Sequence, residues 1–152
     1  MQRIGDVQVA APEGWEQVAP SSSMRVAEYA LPVAGGEPLR LAVFADIGGG
    51  VEANVERWYG QFRQPDGSST AARALRTQVQ TDGGLQATLV DVSGTFSSGM
   101  GMGGGGTSEG YRMLAAIVTS GTHVYYFKLV GPAAALATHE AGFEAMIQSL
   151  RN

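Results

Sequence analysis

Cysteine is absent from the 152 residues. Disulfides, thiolate metal sites and cysteine nucleophiles are therefore excluded. The absence leaves the compartment open, because oxidising and reducing compartments both tolerate cysteine-free chains. Lysine is nearly absent too: Lys128 is the single example, and arginine supplies the rest of the 10 basic residues. Against 14 acidic residues they leave a net charge of −4. The cations do not cluster, whereas a nucleic-acid surface needs clustered Lys and Arg to neutralise phosphates. Nucleic acid is excluded as a partner, and an anionic membrane surface is disfavoured on the same ground. No apolar run approaches the roughly 20 residues that cross a bilayer as a helix. The opening "MQRIGDVQVAAPEGW" also lacks the apolar core of a signal. Two readings of the location follow: a cytoplasmic protein, or a chain whose signal has been removed.

What is present fits one domain over residues 1–152. At this length about 68–70% of the unfolded surface is buried on folding, enough for a core without covalent staples. Val7 and Val9 alternate with polar neighbours, Pro12-Glu13-Gly14 supplies a turn, and Trp15 to Val18 resumes. That pattern predicts two short strands around the turn. In "MRVAEYALP", Met24, Val26, Glu28 and Ala30 take one face, and Arg25, Ala27, Tyr29 and Leu31 the other. Pro32 ends the strand. In "PLRLAVFAD", Leu39, Leu41, Val43 and Ala45 oppose Arg40, Ala42, Phe44 and Asp46. Gly35-Gly36 between the two predicts a hairpin.

After Gly48-Gly49-Gly50 the apolar period changes from 2 to 3.6. Val51, Val55, Trp58, Tyr59 and Phe62 form the stripe of an amphipathic helix, and "QPDGS" stops it. Four further strands are expected at 72–81, 85–96, 110–119 and 122–131, with tight turns at "TDGG" and "SGT". The last two are apolar on both faces. Leu114, Ala116 and Val118 oppose Met113, Ala115 and Ile117; His123, Tyr125, Phe127 and Leu129 oppose Val124, Tyr126 and Val130. Such continuous apolarity marks central strands covered on both sides. Pro132 opens a second helix with the stripe Leu136, Phe143, Met146, Ile147 and Leu150, weakened at Gly142 by about 1 kcal/mol relative to alanine. The order β-β-β-β-α-β-β-β-β-α with tight hairpins gives an antiparallel sheet with two amphipathic helices, an α+β sandwich.

The stretch "GTFSSGMGMGGGGTSEGY" holds the densest glycine of the chain. Gly99-x-Gly101-x-x-Gly104 formally matches a dinucleotide fingerprint, but that motif needs a following helix, and the strand "YRMLAAIV" follows instead. Ser97 to Ser108 reads as a mobile connection between adjacent antiparallel strands, replaceable over 98–107 by a two-residue turn. It is also the candidate interaction loop, through Met100, Met102, Gly103 and Gly104. Met100 and Met102 are soft thioethers that suit Cu(I), yet His123 and His139 would have to approach them, so neither a metal nor a cofactor is expected. His139 borders the apolar stripe and is expected to be packed or capped; His123 sits at a hairpin end. "IGGGVEAN" offers a helix start for an anion, but it lacks a basic residue and Glu52 already occupies the first turn. Asp46 and Glu52 could form a carboxylate pair, though each suits an ordinary strand end or helix start. Serines at 21–23 and 97–98 lie in no G-x-S-x-G elbow, so nucleophilic catalysis is not expected.

"APEGWE", "VEANVERWYGQFRQPDG", "GYRMLAAIV", "YYFKLVGP" and "FEAMIQSL" together resemble a family of bacterial envelope proteins, often lipoproteins, within the PsbP/Mog1-like superfamily. The resemblance spans Val9 to Leu150, and its middle motif is the most specific. It implies an α-β-α sandwich around an antiparallel sheet and little about activity, although the better-known superfamily members are non-enzymatic. Bacterial members usually carry a signal with a lipid-acceptor cysteine, which this chain lacks, so either that segment was removed from a lipid-anchored precursor or this member lacks it. The resulting expectation is a non-catalytic, periplasmic or envelope-associated module that binds a protein or envelope component. The rival is a small-molecule-binding or hydrolytic domain with a site near the glycine-rich loop 97–108. A serine and a carboxylate clustered on His123 or His139 would favour the rival.

Overall fold

In the computed structural model, which describes residues 1–97 and 107–152, the described residues form ten strands and four helices. In chain order these are β1 (Gln2–Ile4), β2 (Val7–Val9), β3 (Glu16–Val18), β4 (Arg25–Leu31), β5 (Leu39–Ala45), α1 (Gly50–Tyr59) and β6 (Phe62–Arg63). The second half adds α2 (Thr70–Arg73), β7 (Leu75–Gln80), β8 (Gln86–Ser97), β9 (Thr107–Ser120), β10 (His123–Pro132), α3 (Ala133–Ala137) and α4 (Glu140–Gln148). Eight strands make one sheet in the order β3-β4-β5-β10-β9-β8, with β6 and β7 both paired to the far side of β8. Every pairing in it is antiparallel.

The two apolar faces of β9 and β10 feed two separate cores. On one face Leu114, Ala116, Val118, Tyr125, Phe127 and Leu129 pack with Leu136 of α3 and Phe143, Met146 and Ile147 of α4. On the other, Met113, Ala115, Ile117 and Tyr126 pack with Val55 and Trp58 of α1. The fold is therefore the expected α-β-α sandwich with an antiparallel sheet. The β4–β5, β7–β8 and β9–β10 hairpins also stand where turn chemistry puts them.

Several local expectations are corrected. Val7–Val9 does not pair with the segment after Pro12-Glu13-Gly14: it pairs with β1, while β3 joins β4 in the large sheet. The stripe of α1 ends at Tyr59, and Phe62 enters the same core from the short strand β6, which pairs with Phe96 and Thr95. A single helical turn, α2, capped by the Ser69 hydroxyl, precedes β7, so that strand starts at Leu75 rather than 72. In β4 a bulge between Arg25 and Ala27 turns Arg25 onto the face of its partner Phe44, away from the face of Ala27 and Tyr29. The second helix is broken. His139 leaves helical dihedrals (φ −112°, ψ 3°). The Thr138 hydroxyl takes the Ala135 carbonyl at 2.8 Å, and the His139 ring is held at 2.7 Å from the Pro32 carbonyl. His139 also meets Trp15 edge-on at 5.6 Å, which is the packing role expected of it. Gly142 has a reason beyond its cost to the helix: a Cβ there would lie 3.0 Å from the Trp15 ring and 3.2 Å from Pro12.

Residues 98–106 lie outside the described residues, and with them the candidate loop residues Met100, Met102, Gly103 and Gly104. The flanking register is fixed, Ser97 facing Thr107 across β8 and β9. A two-residue replacement that keeps register therefore spans 98–106, one residue less than 98–107.

Trp58 is 2% exposed and meets the Tyr126 ring edge-on at 6.3 Å. Trp58→Ala removes the largest α1 side chain from this core and is expected to cost about 3–5 kcal/mol in a urea titration. A loss below about 1 kcal/mol would mean that α1 does not depend on this ring.

Candidate binding site beneath helix α1

The polar residues with catalytic potential are brought together at one end of the sheet. Asp6, in the turn between β1 and β2, accepts from the Tyr125 hydroxyl at 2.6 Å, and its own N–H donates back to that oxygen at 2.9 Å. Ser120 Oγ donates to both Asp6 oxygens, at 3.0 and 3.2 Å. The turn closes onto Tyr125 only because residue 5 is glycine: φ is +56°, and a Cβ would sit 2.1 Å from the tyrosine oxygen. Beside this cluster, His123 Nδ1 lies 2.7 Å from Asp46 Oδ2, and the Val124 N–H donates to Asp46 Oδ1 at 2.9 Å. The Tyr125 hydrogen bond holds the Asp6 carboxyl below its usual range, and the bond to Asp46 raises the His123 imidazole.

A serine, two carboxylates and a histidine are thus near one another, the arrangement that would favour hydrolysis. Its hydrogen-bond directions do not. Ser120 donates to a carboxylate rather than to an imidazole, and it is 1% exposed. A serine nucleophile needs a general base on its oxygen and access to substrate. The cluster instead fastens the β1–β2 hairpin to the β9–β10 hairpin.

Several other ionic groups are also paired internally. Arg112 grips Asp91 with two bonds, 2.9 and 2.7 Å, and reaches Glu140 at 2.7 Å, tying β8, β9 and α4 together. Glu28, 1% exposed, receives Arg25 and Arg40 at 2.9 Å each, and the Ser21 N–H and hydroxyl. Burial alone would raise its carboxyl; the Ser21 and Arg25 bonds outweigh burial and bring it down to about 2. Glu52 at the start of α1 pairs with both terminal nitrogens of Arg76. The helix start thus carries its own anion and is not an anion site, and Asp46 and Glu52 do not form a pair. Among the described residues, no group of three or more His, Asp or Glu side chains could hold a metal.

Lys128 differs from all of these. It lies on β10 in register with Tyr126 and Val130, so its side chain enters the layer under α1. The head donates to Gln61 Oε1 at 2.9 Å and lies 5.9 Å from the Trp58 ring centroid, a cation–π contact. It has no carboxylate partner among the described residues. Burial first, and then the charges of Arg57 and Arg25, push its amine down to about 8. Arg57, exposed on α1, has no ion pair among the described residues either. Between them opens a cavity of about 220 Å³, lined by Met24, Phe44, Ile47, Arg57, Trp58 and Lys128. Met24, 66% exposed, is part of this lining, and Val26, two residues on, is 47% exposed. Sequence reading passed over Lys128 as a mere rarity. The signal was there in "YYFKLV": one charged residue in a strand apolar on both faces.

Neither a protein-family model nor a curated protein matches the sequence. Solved structures do. LpqN of Mycobacterium tuberculosis, involved in cell envelope biogenesis, is 12% identical with a TM-score of 0.54, over 95% of this chain and 82% of its own. PA94 of Pseudomonas aeruginosa, a protein of unknown function, is 14% identical with a TM-score of 0.55, over 95% and 96% of the two chains. The cyanobacterial PsbP (CyanoP) of Synechocystis sp. PCC 6803 is 14% identical with a TM-score of 0.54, over 98% and 94%. At these identities the likeness is one of fold, and the fold is PsbP/Mog1-like. No helix among the described residues is long and apolar enough to cross a membrane.

A lysine lowered in the folded state binds its proton more weakly there than in the unfolded chain. Stability therefore rises with pH between the folded value, about 8, and the unfolded value, 10.5. Lys128→Met removes both the strain and the slope. With solvent screening of the half-buried head, the variant is expected to gain about 1–3 kcal/mol at pH 7. The gain should shrink toward pH 10.5, as followed by urea titration across the range. A variant less stable at pH 7, or one with the wild-type pH slope, would refute a strained lysine.

Proposed function

We propose that the protein is a non-catalytic, envelope-associated module that binds a protein or envelope component through the face beneath α1. The observation that carries this reading is the contrast between its polar groups. Asp6, Ser120, Tyr125, His123, Asp46, Asp91, Arg112 and Glu28 are bound to one another and hold elements together. Lys128 and Arg57 line a cavity with no carboxylate in its lining, together with exposed Met24. Unpaired cations beside exposed apolar side chains suit binding, since a partner supplies both the missing charge and the missing cover. The envelope assignment leans on the resemblance of the sequence motifs and on a structural neighbour, LpqN, involved in cell envelope biogenesis. A periplasmic location, with a lipid anchor on a precursor, belongs to the same reading.

The test is site-specific photocrosslinking in the native host. A photoreactive side chain at Met24 is expected to give a discrete adduct, and one at Glu144, on the opposite face, is not. Equal yields at both positions, or none at Met24, would contradict the reading.

A further inference from the structure

The cavity under α1 lies on the Lys128 face of the sheet. The partner of Lys128 on β5 is Ala42 and its partner on β9 is Ala115. Paired residues on antiparallel strands point to the same face. The row therefore runs Glu28, Ala42, Lys128, Ala115, Val90, Arg76 across six strands. Both cross-strand neighbours of the lysine are thus alanines, and the Trp58 ring is part of the cavity lining. The opening is apolar on Met24, Phe44, Ile47 and Trp58, and cationic on Lys128 and Arg57; no carboxylate lines it.

We propose that this cavity binds a small carboxylate with an apolar body, the carboxylate seated on Lys128 Nζ and the Arg57 guanidinium and the body lying on Trp58, Phe44 and Ile47. The inference rests on the binding role proposed above and names the ligand chemistry of the same site.

Three features select this class. An ammonium group has three donors, and Gln61 takes one, so two remain for an incoming oxygen. The arginine fork matches a carboxylate with two parallel bonds. A neutral amphiphile would leave both cations unpaired, and a cationic one would meet Lys128, Arg57 and Arg25 together. A phosphate ester with a bulky polar head finds apolar walls instead of donors. Size narrows the choice further: about 220 Å³ lies below the roughly 300–1,000 Å³ of sites for drug-sized ligands, so the body is short.

The site also carries a pH dependence. The charged groups facing Lys128 are Arg57 from α1 and Arg25 from β4. Glu28, further along the row, is bonded to Arg25 and Arg40. A bound anion stabilises the protonated amine. Affinity is therefore level below the free-protein midpoint of about 8 and falls as the lysine loses its proton above it.

The experiment is calorimetric titration of the full chain with octanoate at pH 7, with octanol and octylamine as probes of equal length. One saturable octanoate site is expected, with octanol and octylamine weaker by about tenfold or more, the worth of a charge-assisted bond. Lys128→Met should weaken octanoate by about tenfold or more, and Arg57→Gln, at an exposed position that folding does not need, by several-fold. Raising the pH to 10 should weaken the wild type and leave Lys128→Met unchanged. Equal binding of octanoate and octanol, unchanged binding by Lys128→Met, or no saturable octanoate site would each overturn the proposal. A Met24 adduct in cells with no octanoate site would reject this ligand class and leave the binding role standing. No Met24 adduct together with lysine-dependent octanoate binding would do the reverse.

Discussion

Strands β9 and β10 carry apolar side chains on both faces, and a strand of that kind is stable only where both faces are covered. The rest of the architecture follows from that demand. Alternate residues are sent to two cores, so α3 and α4 must lie on one side and α1 on the other. The flanking strands then need only one good apolar face each. On β4, Tyr29 and Leu31 are buried on the α3–α4 side, while Glu28 on the reverse face is held by two arginines. The hairpin β1–β2 adds Ile4, Val7 and Val9 to the first core and is fastened through Asp6 to Tyr125 and Ser120.

The same demand explains why Lys128 is unusual. A position on β10 in register with Tyr126 and Val130 is necessarily drawn under α1. A charge placed there loses water, and without a carboxylate it keeps its proton less tightly. Other ionic groups escape this cost by pairing or by staying in water: Arg112 pairs with Asp91 and Glu140, Glu52 with Arg76, and Asp66 with Arg73. Lys128 has a glutamine, an indole face and an open cavity in place of an anion. Binding thus reads as the completion of an interaction that folding left unfinished.

Periodicity made the layers legible because it is a local signal. The two-faced pattern of 110–131 named the central strands and the members of both cores, and the stripe Val51-Val55-Trp58 placed α1. What stayed hidden depends on partners distant in sequence. Strand β1 shows little alternation over three residues and exists by pairing with β2. The break at His139 depends on Pro32 and Trp15, and the turn of Arg25 onto the other face depends on a bulge. The site was hidden for the same reason. The residues that line the cavity come from β5, α1, β10 and the segments beside them, and only the fold brings them to one lysine. Of the glycine-rich stretch, the most conspicuous feature of the sequence, residues 98–106 lie outside the described residues.

Because lysine occurs once, growth on ¹³C-labelled lysine gives a protein with a single side-chain Cε resonance, free of overlap. Following that resonance against pH in the ligand-free protein measures the proton affinity of Lys128 directly. A desolvated lysine with no counter-charge predicts a midpoint of about 8. A midpoint near 10.5, the ordinary lysine value, would mean that the head is solvated or paired, and would contradict the account of the site.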